Sequence, residues 1–553
     1  MPVTDQNPTP SEIRRPPLDV ISDLGGWNLY FLGKFALYWK ELIGLHPLEN
    51  LAFALLLLVP LKSPKLQRGR AIAAWPAAIA LLYYDSWLPP LSRALSQANV
   101  VANFSLTYLL ELGGRFVSIS AVSLLVVVVV IYLLLEKWLR LTAFVLVALI
   151  TMSVGTPSST PAQPHPTTAD GTATSTGIAS VGNVDPEQYL RKFFTDEAKR
   201  TVAFKPVAAT DTPFDVIFMH ICSLSWDDLR AMELDGHPLF RRFDILLTRF
   251  NSAASYSGPA AIRLQRAACG QQAHDDLYNP IRANCYLMES LNQAGFKPAM
   301  VLNHDGHFDD FLKTIQTQGG MREAPMPLEG AKIAMYSFDG SPIYDDMDVL
   351  RRWMASRGDA SKSRAAVYYN SISLHDGNRL VGAPRTENSM DTYRTRLKKL
   401  LDDIDGFLTD IEKSGRRAVV AIIPEHGAAV RGDKMQFAGL REIPSPAITL
   451  VPVGIKVIGP QSLREGDTVR VNDPTSYLAL SEIIARLIAR SPFELPVFSP
   501  ADYSRDLPTT PFVAHNAETL IVGIGDRYRL KQGNGAWADY QVVNESQGVR
   551  YAR

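Results

Sequence analysis

Cysteine is scarce. Three residues in 553, Cys222, Cys269 and Cys285, are too few for a disulfide scaffold, and their odd number leaves one thiol needing another explanation. Net charge is lacking too: 56 Lys and Arg stand against 56 Asp and Glu, so nothing in the bulk charge points to a nucleic-acid partner. No internal repeat is found. Large apolar residues are nearly missing from 156–185, a stretch dominated by Thr, Ser, Pro, Ala and Gly. A segment with so little to bury is expected to be a flexible linker.

Hydrophobic residues make up 46% of the chain but are unevenly spread, and the length calls for two or more parts. Apolar segments lie near 24–44, 48–61, 71–89, 116–135 and 138–155; the run Leu124-Leu125-Val126-Val127-Val128-Val129-Val130-Ile131 is the clearest of them. A membrane-spanning helix takes about 20 mostly apolar residues, which 116–135 supplies without a charge. Lys34, Lys40 and Glu41 weaken the first segment, and the second is short. Any one such stretch fits a buried soluble helix, but five in succession predict a membrane domain over 1–155 with about five transmembrane helices. Lys62, Lys65, Arg68 and Arg70 crowd one connection, and Lys137 and Arg140 another. Both should face the cytoplasm, as should the polar tail 1–23, which puts the loop near 90–115 and everything beyond 155 outside.

From 186 to 553 short apolar strands alternate with amphipathic helices, the pattern of an α/β domain with a largely parallel sheet. Strands are predicted at 216–221, 299–302, 366–369, 418–423 and 448–451, helices over 392–408 and 477–487, and a hairpin near 520–530. Ligands of such sheets bind beyond the carboxyl ends of the strands. Three of these ends carry Cys222, His375 and the pair Glu425-His426. Cysteine there has an ordinary reading as a small buried apolar residue, and a lone histidine as a surface group. Glu-His after an apolar strand is harder to dismiss, because burying two ionisable groups costs free energy unless a metal or an ion pair compensates. Ser257, ahead of Gly258-Pro259 and Ala260-Ala261, has the setting of a helix N-cap, with proline tolerated in the first turn. Helix N-termini also attract phosphate, so the same hydroxyl suits a nucleophile facing a phosphoryl group. Cysteine, glutamate and histidine are competent zinc ligands; Ser257 as a fourth would have its hydroxyl pKa lowered by the metal.

The strings SYSGPAAIRL (255–264), FDGSPIYDD (338–346), LHDGN (374–378), PEHG (424–427) and GLREIPSP (439–446), in this order behind a five-span membrane part, resemble the phosphoethanolamine transferases of bacterial cellulose-synthase operons, within the alkaline phosphatase/sulfatase-like superfamily. The resemblance covers nearly the whole chain. It implies an alkaline phosphatase/sulfatase-like sandwich around a mostly parallel sheet, a periplasmic catalytic domain over 186–553 carried by a multi-pass domain in the bacterial inner membrane. The implied activity is zinc-dependent transfer of phosphoethanolamine from phosphatidylethanolamine to glucosyl primary hydroxyls of nascent cellulose, through a covalent serine intermediate and in association with a cellulose synthase complex. Matched by motif, the Zn2+ ligands are Cys222, Ser257, Glu425 and His426; Ser257 is also the nucleophile, His375 assists near the transferred group, and Tyr256 and Arg441 line the phosphate site. Relatives that modify lipid A use threonine as nucleophile and carry a histidine before a Val-Pro step. Here Leu450 precedes Val451-Pro452, so that branch and its second metal are not implied. His307, in the loosely matching stretch 303–308, is given no role.

In the oxidising compartment so implied, Cys269 and Cys285 are expected to pair, at the far end of the helix that Ser257 begins, leaving Cys222 to the metal. Two other readings of the same residues stand beside this one. One is a phosphodiesterase or sulfatase-like hydrolase, or a transferase acting on another envelope glycan or lipid. The other is a non-catalytic membrane scaffold whose metal is structural.

Overall fold

A computed structural model describes residues 23–40, 43–86, 108–109, 111, 119–135, 140–154, 184–208, 210–358, 363–384, 387–433, 435–459 and 463–541. The tail expected over 1–23 and the linker expected over 156–185 lie outside them, apart from residue 23 and residues 184–185. The chain forms two compact units, one of residues 1–88 and 117–175, the other of 89–116 and 176–553.

The first unit contains helices α1 (Trp27–Trp39), α2 (Pro47–Leu58), α3 (Pro64–Asp85), α4 (Ile119–Leu135) and α5 (Leu141–Val154). Pro47 and Pro64 open α2 and α3, where a missing amide donor costs nothing. Phe31, Phe53, Ala54, Leu57, Ala74, Ala78, Val145 and Leu149 form the core between the helices. Lys34, the charge that weakens the first apolar segment, is buried and ion-paired with Asp85. Asn50 links the two, accepting from Lys34 Nζ (2.7 Å) and donating to Asp85 Oδ2 (2.9 Å), so α1, α2 and α3 share one satisfied polar knot. Among the described residues no helix is long and apolar enough to cross a membrane. At ~1.5 Å per residue the 17 residues of α4 reach about 25 Å, short of the ~30 Å hydrocarbon layer. Helix α3 has the length but carries Lys65, Arg68, Arg70 and Asp85.

The second unit is built on a seven-stranded sheet of β1 (Asp215–Ile221), β2 (Ile245–Asn251), β3 (Lys297–Leu302), β4 (Ala365–Ser371), β5 (Ala418–Pro424), β6 (Leu450–Ile458) and β7 (Val469–Val471). Their spatial order is β7-β2-β6-β5-β1-β4-β3. All neighbours are parallel except β6, which runs antiparallel to both β2 and β5. Strands β1, β2, β4 and β5 therefore end on one edge. Alternate side chains of β1 enter opposite cores, Val216 and Phe218 on one face and Ile217, Met219 and Ile221 on the other, as a period of two requires when both faces are covered. Helices α6 (Ser257–Gln265) and α8 (Tyr477–Ala489) cover the first face. Helix α7 (Tyr393–Lys413) covers the second with Leu397, Leu400, Leu401, Ile404, Phe407, Leu408 and Ile411, the i, i+3, i+4 stripe of an amphipathic helix.

Four predicted strands and both predicted helices are present within a few residues of their expected bounds, and the hairpin is Thr519–Ile524 with Arg527–Gln532. The fifth strand differs. Residues Pro446–Thr449 form a helical turn opened by proline, and β6 starts only at Leu450. Pro452 is tolerated inside β6 because it lies opposite the register shift between Leu247 and Phe250, where one ladder donor is not needed. Cys269 and Cys285 are joined as a disulfide, and among the described residues Cys222 is the one free, buried thiol.

Candidate metal centre

Cys222 follows the last residue of β1, and Glu425-His426 follow the last residue of β5, the strand hydrogen-bonded beside it. The amide of Glu425 donates to the carbonyl of Ile221 (2.8 Å), which locks the two strand ends in register. Ser257 arrives from β2 through a five-residue connection, 252–256. It is the first residue of α6, and Tyr256 takes the N-cap position without a side-chain cap bond. The serine is thus not a cap: its hydroxyl faces the strand ends, 3.3 Å from Cys222 Sγ and 3.4 Å from His426 Nε2. Ligand atoms of Cys222, Glu425 and His426 all lie within 4.8 Å of one another, and all three residues are fully buried.

The polarity of the cluster fits a cation. Glu425 Oε1 accepts from Asn370 Nδ2 (2.6 Å), whereas Oε2 is buried without a partner. His426 Nδ1 is 2.9 Å from the carbonyl oxygen of Gly427 and 3.3 Å from Arg441 Nη1; with the proton on Nδ1 serving the shorter carbonyl contact, Nε2 keeps a lone pair directed at Ser257 and Cys222. Burial pushes the Cys222 thiol up to about 12, with the Glu425 charge adding to it. Burial also pushes the Glu425 carboxyl up to about 7, against the opposing influence of the neighbouring Ser257, Asn370 and Cys222. It drives His426 well below the usual imidazole range, with Arg441 adding to the effect. A thiol, a carboxyl and a neutral imidazole held together in a dry site are what a thiophilic divalent cation would convert to thiolate, carboxylate and lone-pair ligands. The residues present therefore fit zinc.

Arg441 and Tyr256 border the cluster. Arg441 Nη1 donates to Ser223 Oγ (3.1 Å), and its guanidinium carbon lies 5.8 Å from the centre of the Tyr256 ring. Tyr256 donates to Glu442 Oε1 (2.5 Å). The free amides at the start of α6 face the same edge as this guanidinium, so an anion there meets a positive rim. His375, in the turn after β4, is close enough to exchange electrostatic influence with His426 and Arg441 but is not hydrogen-bonded to the four clustered residues. Its Nδ1 is 2.7 Å from the carbonyl oxygen of Asp376, so the proton sits on Nδ1 and Nε2 keeps the lone pair. Burial and the Arg441 charge hold this imidazole down to about 4, hence neutral at pH 7. His307 is exposed beside Asp305 and takes no part.

Several supporting residues escape a reading of the sequence. His220, two residues before Cys222, has Nδ1 3.1 Å from Tyr368 Oη and 3.3 Å from Glu425 Oε1. Asn370 donates to the His220 carbonyl as well as to Glu425. Both are polar interruptions of apolar strands, which is the signal that would have found them. Arg396, buried on α7, donates to the carbonyls of Ser373, His375 and Ser389 and so fixes the His375 turn from below. From 89–116 come two further residues: Tyr108 donates to Asp376 Oδ2 (3.0 Å), and Glu111 pairs with Arg379 (2.8 Å) and accepts from Ser389 Oγ (2.9 Å). Gly377, at φ +81, must be glycine, because a Cβ there would meet Phe338 Cβ at 2.7 Å and the Tyr108 ring at 2.9 Å. Gly427 is required for close approach: a Cβ would lie 2.6 Å from Ser225 Oγ and 2.7 Å from Asp228 Oδ2.

A mostly parallel sheet with these side chains gathered at its carboxyl edge defines an α/β domain with a candidate metal centre. The models of the cellulose biosynthesis protein BcsG match this chain in both parts, the N-terminal domain over residues 27–154 and the C-terminal domain over 170–537. Two curated relatives are similar along nearly their whole length. The cellulose biosynthesis protein BcsG of Salmonella typhimurium is 38% identical over 541 residues and that of Escherichia coli 39%, each match covering 94% of this chain and 96% of the relative. The chain belongs to the BcsG family. Among solved structures, a protein of the alkaline phosphatase superfamily from Vibrio parahaemolyticus is similar at TM-score 0.46 and 13% identity, covering 66% of this chain and 91% of that one. The C-terminal periplasmic domain of phosphoethanolamine transferase EptC from Campylobacter jejuni is similar at TM-score 0.35 and 11% identity, covering 56% and 100%.

Proposed function

We propose that this chain is a zinc-dependent phosphoethanolamine transferase that moves the headgroup of phosphatidylethanolamine to glucosyl primary hydroxyls of nascent cellulose. The observation that carries the reading is the Ser257 hydroxyl at the start of α6, turned away from capping and toward Cys222 and His426. Cys222, Ser257, Glu425 and His426 would hold the metal, which supplies Lewis acidity that favours the serine alkoxide at neutral pH.

Ser257 Oγ forms a bond to the phosphorus of the lipid headgroup as the bond to the diacylglycerol oxygen breaks. The proton given up by the serine ends on that leaving oxygen. In the second half a sugar oxygen bonds to phosphorus, Ser257 Oγ leaves, and the sugar's proton returns to the serine. His375, neutral with its Nε2 lone pair free, is the residue assigned to carry protons in both halves. Arg441 and the first amides of α6 neutralise charge on the nonbridging oxygens, and Tyr256 walls the same side. The helical unit is assigned to the bacterial inner membrane and the α/β unit to the periplasm, beside a cellulose synthase complex. The exposed apolar side chains of α3 and α4, such as Ile72, Ile79, Val126, Val130 and Leu134, support a lipid setting.

The test is transfer from phosphatidylethanolamine labelled in its headgroup, in vesicles with the full-length protein and cellooligosaccharides. Label is expected on the sugar, and none with Ser257→Ala. Release of free phosphoethanolamine without labelled sugar supports the hydrolase. Undiminished sugar labelling by Ser257→Ala sinks the catalytic reading and leaves the scaffold.

A further inference from the structure

At the other end of α6 from Ser257, Arg263 is buried with 4% of its surface exposed and spends only one nitrogen, Nη1, on the carbonyl oxygen of Gln272 (2.9 Å). Its Nε and Nη2 have no partner. Arg263 lines a small, partly open cavity of about 20 Å³ together with Gln271, Tyr477, Thr510 and Glu197. Orphan polar atoms concentrate here: Tyr477 Oη, Thr510 Oγ1 and Gln271 Oε1 are also buried without partners. Leaving so many polar atoms unpaired around one void is costly, the more so for a charge, so the void is expected to be filled.

The chemistry of the lining selects the occupant. The two unpaired Arg263 nitrogens carry three N–H hydrogens and can only donate, and the Tyr477 and Thr510 hydroxyls rotate freely enough to donate too. Of the unpaired atoms on the lining, Gln271 Oε1 is the one that can only accept, its amide nitrogen being held by the carbonyl of Val513. Glu197 is the one acid on the lining, and its carboxylate already binds Arg200 (2.5 Å) and the amide of Gln271 (2.8 Å). Arg266, the other cation on the lining, is spent on Gln318, Gln272, Asp276 and Asn279. Among the described residues Arg263 is therefore a buried cation with no counter-ion. Deprotonation does not relieve it, since burial lowers its pKa only to about 10. A particle of water size needs roughly 10–15 Å³ of such space, so this cavity admits one small particle and no phosphate ester.

We propose that this cavity binds one small monovalent anion of chloride size, held by Arg263 Nε and Nη2 and by the hydroxyls of Tyr477 and Thr510. The anion joins the last turn of the nucleophile's helix to the first turn of α8 and to the strand approach at Thr510, and so anchors the helix end opposite Ser257. The site is distinct from the phosphoryl site and does not rest on the transferase reading.

The experiment is thermal unfolding of the purified full-length protein across a chloride series, with gluconate replacing chloride at constant ionic strength. Once the site is saturated, the midpoint is expected to rise by about 2–4 °C for each tenfold increase in chloride, with bromide substituting for it. Arg263→Met should abolish the dependence. Tyr477→Phe, a change that removes one donor and little else, should move half-saturation to severalfold higher chloride, and bromide should give an anomalous scattering peak in the cavity. Equal midpoints in chloride and gluconate, an unchanged chloride dependence in Tyr477→Phe, or a cavity holding only water in bromide crystals would each overturn the proposal.

Discussion

Glu425 Oε2 is buried with no hydrogen-bond partner, beside a thiol whose ionisation burial opposes. An arrangement of that kind is destabilising unless a cation completes it, and the cation then becomes part of the folding free energy. About one zinc per chain is expected from elemental analysis of the full-length protein, falling well below that in Cys222→Ser. Stoichiometric zinc that survives the substitution removes the thiol from the ligand set. Asp228 is a different buried acid. It accepts from the amides of Ser225 and Ala428 and from Ser225 Oγ, so it holds the loop after Glu425-His426 against the helical turn after β1. Burial raises its pKa to about 6, despite those bonds. The folded state thus keeps a proton that the unfolded state releases near the ordinary aspartate value of 3.8, and the group's stabilising contribution is full below that pH and lost as pH rises through about 6. Asp228→Asn cannot titrate. The melting-temperature gap between it and the wild type should therefore shift in the variant's favour between pH 4.5 and 6.5; a gap constant over that window contradicts the assignment.

At the scale of elements, the sheet edge does the gathering. Cys222 and Glu425-His426 were legible because apolar strands end abruptly in ionisable residues, a local signal. That Ser257 does not cap its helix was not legible: Ser-Gly-Pro reads as a cap, and only the backbone shows that Tyr256 holds that position. Strand β2 escaped notice because Thr248 and Arg249, a half-buried and an exposed residue, break its apolar run near the edge of the sheet. The short stretch 446–449 could not be told from strand by four residues of pattern. The hold on the His375 turn was equally invisible, since Arg396, Tyr108 and Glu111 act across 21, 267 and 264 positions of sequence, and pattern reports only near neighbours. Glu111→Gln loosens the pairing with Arg379 and Ser389 without touching the metal cluster. Its transfer rate is expected to fall by about tenfold with zinc content unchanged. An unaltered rate would mean that residues 108–111 only pack against the turn.

For the whole molecule, the α/β class, the sheet edge where Cys222, Glu425 and His426 cluster and the Cys269–Cys285 pair were all readable, the first from alternation and the last only from a resemblance that implied an oxidising compartment. The division of the chain was readable only in outline. Residues 89–116 join the α/β unit although they lie between helices of the other unit in sequence, and no composition change marks that crossing. The disulfide closes a 16-residue separation at the carboxyl end of α6, a constraint of about 3 kcal/mol on the unfolded chain, so the helix that Ser257 begins is tied covalently at one end and faces the cluster at the other. Everything proposed for the chain depends on that helix presenting a reactive serine. The most direct measurement is peptide mass analysis of the full-length protein after incubation with phosphatidylethanolamine vesicles and no acceptor. The account predicts phosphoethanolamine on the peptide containing Ser257, discharged when cellooligosaccharides are added. Turnover of the lipid with that peptide unmodified, or with the group on another residue, would contradict it.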